Sequence, residues 1–293
     1  MDEHEKWRNE VKVGVDLGTS KLAVSFTVPG SPKVQLLKFS SSLYAQKKVE
    51  ELDAVLGYAP SGWHYGPDVK VLDDAIAFSN IKLGIIGQEP YLSLLKGSFR
   101  AAAKKYGAKE TPVTLFQKLF SHILATLKRF FDQPENQHYY GGRTFHDLEK
   151  SCSVTYPVRQ NGSLKIVLVE AALAAGFHRV NGVSEPLAAA HYIVLQPQPI
   201  ISCNETFLII DCGGGTFVCS TDFNGAMPIL TLRLGSRNRR TTERRRNQAG
   251  LPERWYDFGS TIWTISFLTH RRVSQRRGIG QRCSPRLFTG TFW

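Results

Sequence analysis

Apolar and polar residues alternate near the N-terminus of the chain, first before and then after a turn that contains glycine. The apolar positions are Val11, Val13, Val15, Leu22, Val24 and Phe26. Because neighbouring side chains of a strand point to opposite faces of a sheet, this two-residue period indicates one buried face. Residues 11–28 are therefore predicted to form a β-hairpin.

Three later segments carry apolar residues at the three- and four-residue spacing of an amphipathic helix. The first covers residues 112–132 and begins with Pro112, which suits a first helical turn. The second covers residues 164–175 and ends at Gly176. The third begins at Ser184-Glu185-Pro186 and continues through "LAAAHYIVL".

Extended segments separate these helices. Strands are predicted at residues 153–158, 179–183 and 207–211, whereas residues 30–80 show no clear period. Strands and helices thus alternate along the chain, which is typical of the α/β fold class.

The formal net charge of +12 is concentrated near the C-terminus. Residues 235–293 contain 13 Arg, no Lys and three acidic residues, so residues 1–234 carry a net charge of only +2. This nearly neutral body argues against nucleic acid as a partner. The change from Lys to Arg is typical of a disordered tail or of a change of reading frame; a nuclear-import or nucleic-acid patch at residues 237–246 is the third interpretation.

Several classes of protein are excluded by composition. No apolar run approaches the roughly 18 residues that a membrane span needs, so no membrane partner is expected, and the N-terminus resembles no secretory signal. The five cysteines are odd in number and contain no CxxC pair, which fits neither a zinc site nor a disulfide framework. We expect a cytoplasmic protein, with nuclear entry through the arginine-rich tail as an alternative.

Two distant segments share one pattern: an apolar strand that ends in aspartate, one further residue, glycine, small or hydroxyl residues, and a second strand. They are "KVGVDLGTSKLAVSF" around Asp16 and "FLIIDCGGGTFVCSTDF" around Asp211. Most isolated glycine-rich turns bind nothing, but a second copy 195 residues away indicates two related domains that each offer one hairpin.

The chemistry of the repeated turn suits phosphate. Glycines let backbone N–H groups converge on phosphate oxygens, and Thr or Ser adds hydroxyl donors. An aspartate beside phosphate needs a divalent cation between them, and Mg²⁺ takes few carboxylates and keeps several waters. We expect the two hairpins to clamp nucleotide phosphates and Mg²⁺ in a cleft between domains. The chain has no GxxxxGK(S/T) motif, which excludes a Walker-type P-loop.

Glu185 begins the third predicted helix and has two interpretations. It either interacts with the helix dipole or orients and deprotonates the attacking water in phosphoryl transfer. The residues alone leave both open. Lys21, directly after the first loop, is expected to be a solvated lysine at the end of the hairpin rather than a phosphate ligand.

Four segments carry a resemblance to a known family: "VGVDLGTS", "TYPVRQNGS", "VSEPLAAAH" and "IIDCGGGTF". In order and spacing they resemble the ATPase domain of the 70-kilodalton heat-shock chaperones, in an atypical branch. The resemblance implies an actin-like ATPase fold, which is ribonuclease H-like, and ATP or ADP with Mg²⁺ as ligands. It implies catalytic roles for Asp16, Asp211 and Glu185, with both aspartates near Mg²⁺. The implied phosphate-binding residues are Gly18, Thr19, Ser20, Gly213, Gly214, Gly215 and Thr216.

The chain also departs from the family pattern. Val218 stands where the second phosphate loop of the family has an acidic residue. A catalytic lysine is expected in the first lobe, and Lys82 lies in a suitable region without a motif around it. Recognisable sequence ends near Leu234, so the ATPase is expected to be truncated and weak or inactive. The expected divisions are an N-terminal extension (1–10), lobe I (11–199), an incomplete first hairpin of lobe II (200–234) and the arginine-rich tail (235–293).

Two other functions are compatible with the Asp-Gly hairpins. One is a filament-forming ATPase related to actin or to bacterial cell-shape proteins, and the other is a sugar kinase of the same fold. The segments "GGGTF" and "TYPVRQNGS" favour the chaperone type over the first, and "SEPLAAA" argues against the second. The expected partners are a nucleotide and, for a full-length chaperone, client proteins and co-chaperones.

Overall fold

The computed structural model describes residues 9–41, 48–157 and 163–194, and the backbone of four strands nearer the C-terminus. The chain divides into two compact units, residues 1–198 with Trp293 and residues 199–292. Each unit is described by itself. In the described part of the chain, no helix is both long enough and apolar enough to cross a membrane.

Among its described residues, the first unit combines short and long strands with five α-helices. The strands are β1 (Glu10–Leu17), β2 (Lys21–Thr27), β3 (Val34–Leu36), β4 (Phe39–Ser40), β5 (Lys48–Val49), β6 (Glu51–Asp53), β7 (Leu56–Ala59), β8 (Gly62–Tyr65), β9 (Ile76–Phe78), β10 (Glu149–Tyr156) and β11 (Arg179–Ser184). The helices are α1 (Ile81–Ile85), α2 (Tyr91–Tyr106), α3 (Pro112–Phe131), α4 (Ser163–Ala175) and α5 (Glu185–Val194). This mixture confirms the α/β class.

A six-stranded mixed sheet forms the centre of the first unit. Its strands run in the order β11-β10-β1-β2-β3, and β6 also pairs with β2. The strands β1, β10 and β11 are parallel, whereas β2 is antiparallel to β1, β3 and β6. The remaining strands form a small sheet of order β8-β7-β9 and the pair β4-β5.

Helix α3 forms much of the core beside the sheet. Its buried apolar residues are Leu115, Phe116, Leu119, Phe120, Ile123, Leu127 and Phe131. The ring of Phe26, on β2, contacts Phe130 edge-on at a centroid distance of 4.9 Å. Each fully buried large apolar side chain contributes about 1.5–3 kcal/mol, so this row of side chains holds helix and sheet together.

The predicted hairpin and the three predicted helices are confirmed. Helix α3 begins with Pro112 after Thr111, whose hydroxyl accepts a hydrogen bond from the Thr114 N–H at 3.2 Å. Helix α4 ends at Gly176, whose positive φ of 114° is a conformation that other residues rarely adopt. Proline at the start and glycine at the end therefore act as the sequence suggests.

Strand β10 begins earlier than predicted, at Glu149 rather than at residue 153. Its first residues are charged, which hides the strand from an apolar pattern. Lys150 is buried, and its Nζ donates hydrogen bonds to the carbonyls of Phe145 and Leu148 at 3.0 and 2.6 Å. Because these carbonyls compensate the buried ammonium, a lysine can lie inside the sheet.

The described part of residues 30–80, a region unassigned from the sequence, contains seven strands of two to four residues. Strands this short give too few alternations for a period to be recognised. Helices α1 and α2 also lie outside the sequence predictions. All of these elements that the sequence did not predict lie between β2 and α3.

The second unit contains two hairpins among its described residues: β12 (Phe207–Cys212) with β13 (Phe217–Asp222), and β14 (Thr264–Leu268) with β15 (Leu287–Thr291). The strand expected at 207–211 is confirmed. The division into lobe I, a partial lobe II and a tail stays a prediction.

His122 gives the first unit a titratable contact inside the core. Its ring stacks on Tyr65 at 4.0 Å and on Phe39 at 5.9 Å between centroids. Burial, together with the charge of Arg129, lowers the pKa of His122 from 6.5 to about 4, while the charge of Asp68 acts in the opposite direction. The neutral ring is therefore the form that fits the fold.

We predict that stability falls as the pH is lowered from about 6.5 to 4. The unfolded chain binds a proton at His122 in this range while the folded chain does not, which costs up to about 3 kcal/mol. Urea unfolding at several pH values should show a shallower decline for His122→Phe, which keeps a ring but cannot titrate. The exposed His146→Gln is the control, and equal slopes for wild type and His122→Phe would contradict the prediction.

Candidate functional site

The carboxyl ends of three parallel strands meet at one edge of the central sheet. Strands β1, β10 and β11 end at Leu17, Tyr156 and Ser184. In register, Val15 pairs with Val154 and Tyr156 with Ser184. This edge is where open α/β sheets bind ligands, and it carries Asp16, Thr155 and Glu185.

The turn between β1 and β2 lies at the same edge. The Gly18 N–H donates to the Lys21 carbonyl at 2.8 Å, so it is used inside the turn. Thr19 is half-buried and Ser20 is exposed. Within the described residues neither hydroxyl has a hydrogen-bond partner. The two hydroxyls thus remain available to a ligand.

Asp16 is half-buried, and its Oδ1 accepts a hydrogen bond from the Thr155 hydroxyl at 2.7 Å. Across the described segments, Asp16 forms no ion pair. Lys21, five residues away in the chain, binds Asp53 at 2.7 Å instead. The negative charge of Asp16 therefore meets a neutral donor from the protein rather than a cation.

The carboxylate that binds Lys21 belongs to Asp53 on the neighbouring strand β6. Asp53 binds Lys21 and also Lys70, the latter at 2.9 Å. Burial alone would raise the pKa of Asp53, but the hydrogen bonds from Lys21 and Lys70 outweigh it and hold the pKa below its ordinary value. Lys21 was expected to be a solvated lysine. In the structure it is only partly exposed and its ammonium is paired with Asp53.

Glu185 and Lys82 form a buried ion pair. Their side chains are 6% and 4% exposed, and Lys82 Nζ also donates to the Leu17 carbonyl at 3.0 Å. Glu185 is the first residue of α5, as predicted, and Lys82 lies in α1. The pair shows that Lys82, which no sequence motif identified, belongs to the same edge as Asp16.

A small cavity opens beside the Gly18–Thr19 turn. The other residues around it are mainly apolar: Leu17, Ala54, Leu56, Ile81, Lys82, Phe116 and Leu119. Apolar walls exclude water and strengthen electrostatic interactions with the Lys82 ammonium. A charged group that enters this edge would compete with the Glu185 carboxylate for this ammonium.

The second Asp-Gly segment has the same hairpin register as the first. Asp16 lies opposite Ala23, one pair before Leu17 and Leu22. Asp211 lies opposite Val218, one pair before Cys212 and Phe217. Four residues, 18–21 or 213–216, separate the last pair of each hairpin.

The other predicted site residues of this segment lie outside the described residues. They are Gly213, Gly214, Gly215, Thr216 and the side chain of Asp211. Their contact with a ligand stays a prediction. An acid in place of Val218 would stand directly across the hairpin from Asp211.

The residues at the edge fit a Mg²⁺ ion held largely through water. Among the described residues, no three His, Cys, Asp or Glu side chains converge, as a cage made only of protein ligands would require. Mg²⁺ typically takes one or two carboxylates and keeps its waters. Asp16, which has no cation beside it in the described structure, is a suitable carboxylate.

Comparisons with known proteins show a distant similarity to chaperones. No protein-family model matches the chain. It is similar to chaperone protein HscA homologues, with 22% and 23% identity over 220 residues for two strains of Acinetobacter baumannii and 22% over 219 residues for Acinetobacter baylyi. The alignments cover 71–72% of this chain and 32% of each relative. The chain thus spans about a third of these relatives, which belong to the 70-kilodalton heat-shock chaperones.

We predict that Lys82→Met destabilises the protein by about 3–5 kcal/mol, because it leaves the buried Glu185 carboxylate without its partner. The double variant Lys82→Met/Glu185→Gln should recover much of this loss, since neither charge remains. Urea unfolding measures both effects. Lys21→Met, which removes a partly exposed ion pair, is the matched control and should cost about 1 kcal/mol or less. A Lys82→Met variant as stable as this control would be evidence against the buried pair.

Proposed function

We propose that the chain carries lobe I of a Mg²⁺-dependent, nucleotide-binding ATPase domain of the heat-shock-70 type. One observation carries the proposal: the buried Lys82–Glu185 pair binds the Leu17 carbonyl, one residue after Asp16, at the carboxyl ends of parallel strands and beside the Gly18–Ser20 turn. The distant similarity to HscA homologues supports it.

The described residues would divide the work of binding phosphate. The hydroxyls of Thr19 and Ser20, which have no partner among the described residues, would donate to phosphate, and Lys82 would supply a cation in an apolar surrounding. Asp16 would hold waters of the Mg²⁺ ion. When bound, the ion would neutralise charge on the phosphate oxygens.

The Lys82–Glu185 pair suggests how binding prepares hydrolysis. A phosphate that draws the Lys82 ammonium toward itself would weaken the ion pair and leave the Glu185 carboxylate with a free oxygen. That oxygen could then orient the attacking water, which is the positioning that phosphoryl transfer requires. Glu185 would act in this way in addition to beginning α5.

The second hairpin has a role of its own in an actin-like ATPase fold, which is the fold that we propose. We propose that Asp211 faces Mg²⁺ and that Gly213, Gly214, Gly215 and Thr216 contact phosphate. The shared register of the two hairpins supports this role, because it gives both aspartates the same place relative to their turns. Val218 would leave this half of the site with one acidic group fewer.

The segment that is similar to this chain makes up about a third of each relative, whereas chaperone function involves the whole of such a protein. Client proteins and co-chaperones are accordingly partners that we propose for a full-length chaperone. A filament-forming ATPase is the main alternative, and sedimentation with MgATP would separate the two because only a filament former should pellet. The similarity to HscA homologues favours the chaperone type.

We predict that MgATP at about 100 times its Kd stabilises the protein by roughly 2.7 kcal/mol. Asp16→Asn and Asp211→Asn should each remove most of the Mg²⁺-dependent part, because an amide holds the metal-bound waters less well. Thermal unfolding with ATP, with and without Mg²⁺, measures the effect, and Asp73→Asn at an exposed position is the control. Equal shifts in wild type and both site variants would rule out the assignment.

Glu185→Gln should slow hydrolysis more than it weakens binding. Orientation of water acts mainly in the transition state, so we expect single-turnover hydrolysis to slow about 10²–10⁴-fold with little change in nucleotide Kd. Rates are measured with radiolabelled MgATP at a temperature where the variant remains folded. An unchanged rate would limit Glu185 to the ion pair and the start of α5.

A further inference from the structure

Thr155 contacts the proposed metal-facing carboxylate from the neighbouring strand. It lies on β10, one residue after Val154, which pairs with Val15. This parallel register brings the Thr155 hydroxyl to 2.7 Å from Asp16 Oδ1. Because threonine branches at Cβ, its hydroxyl has few accessible orientations, and the contact is well defined.

The partner of Asp16 is chemically different from the partners of the other carboxylates nearby. Asp53 binds two lysines and Glu185 binds Lys82. Within the described residues, Asp16 instead accepts a hydrogen bond from a neutral hydroxyl and has no ion pair. An ammonium group here would neutralise the carboxylate and compete with Mg²⁺, whereas a hydroxyl orients it and leaves its charge intact.

We infer that Thr155 is a positioning residue that holds one oxygen of Asp16 so that the other faces the waters of Mg²⁺. This inference rests on the proposed function, since it assigns Asp16 to Mg²⁺. Partners that hydrogen-bond to a metal-facing group commonly change metal affinity by about 10–100-fold when they are removed. Thr155 should therefore control the Mg²⁺ requirement rather than the affinity for ATP itself.

The test is a Mg²⁺ titration of the ATP-induced shift in Tm, with the full chain and a fixed ATP concentration. Thr155→Val keeps the shape but removes the hydroxyl, and we expect the Mg²⁺ midpoint to rise about 10-fold or more. Thr155→Ser restores the hydroxyl and should return the midpoint to near the wild-type value. Ser153→Ala is the matched control, because it removes an exposed hydroxyl two residues away on the same strand.

A double-mutant cycle with Asp16→Asn separates orientation from packing. If Thr155 acts through Asp16, Thr155→Val should change the Mg²⁺ midpoint no further in the Asp16→Asn background. A Thr155→Val variant with a lower Tm but the wild-type midpoint would overturn the inference, since its role would then be structural. If Thr155→Val does not fold, a Thr155→Ser variant with the raised midpoint would overturn it equally.

The proposed function fails in a distinguishable way. A wild-type protein whose ATP-induced shift does not depend on Mg²⁺ would refute the metal site and, with it, the role of Thr155. A Mg²⁺-dependent wild type with an unchanged midpoint in Thr155→Val would refute only the role of Thr155.

Discussion

The buried ion pair of Lys82 and Glu185 connects residues 103 positions apart in the chain. Two charges removed from water are costly unless they lie together, so the fold must bring α1 to the start of α5. Lys82 also binds the carbonyl of Leu17, which ties both helices to the end of β1. The contact between one lysine and one glutamate thus joins α1, the start of α5 and the end of β1 at this edge of the sheet.

At the same edge, each lysine pairs with a particular carboxylate. Lys21 lies beside the turn but binds Asp53, and Lys82 lies near Leu17 but binds Glu185. Both cations are thereby kept off Asp16, whose partner in the described structure is a hydroxyl. A lysine that pairs with a protein carboxylate can still exchange it for a more highly charged phosphate, whereas an aspartate already neutralised would gain little from a metal. The edge therefore combines a lysine that is paired with a carboxylate, Lys82, with an aspartate whose charge is not neutralised by a lysine in the described structure, Asp16.

The sequence predicted the parts of the fold that local patterns describe. Alternation over β1 and β2, and the capped apolar stripe of α3, are local signals, and both elements were found as predicted. The start of β10 was not predicted, because a lysine normally indicates an exposed position. Lys150 is instead buried, and backbone carbonyls accept hydrogen bonds from its ammonium. The contacts of Lys82 and the contact of Thr155 with Asp16 were also not predicted, because they depend on pairing between segments that are 65 to 139 residues apart. Asp16 and Glu185 could be proposed from the sequence because their neighbours in the chain, a turn and a helix start, have local signatures; their roles stay predictions.

The parallel register of β1 and β10 has an evolutionary consequence. Side chains on a strand alternate between faces, so the loss or gain of one residue within β10 would turn Thr155 away from Asp16 and move the strand's apolar set out of the core. The loops at the other end of these strands impose no such condition. Insertions and deletions among homologous chains should therefore accumulate in the connections and be almost absent between Glu149 and Tyr156.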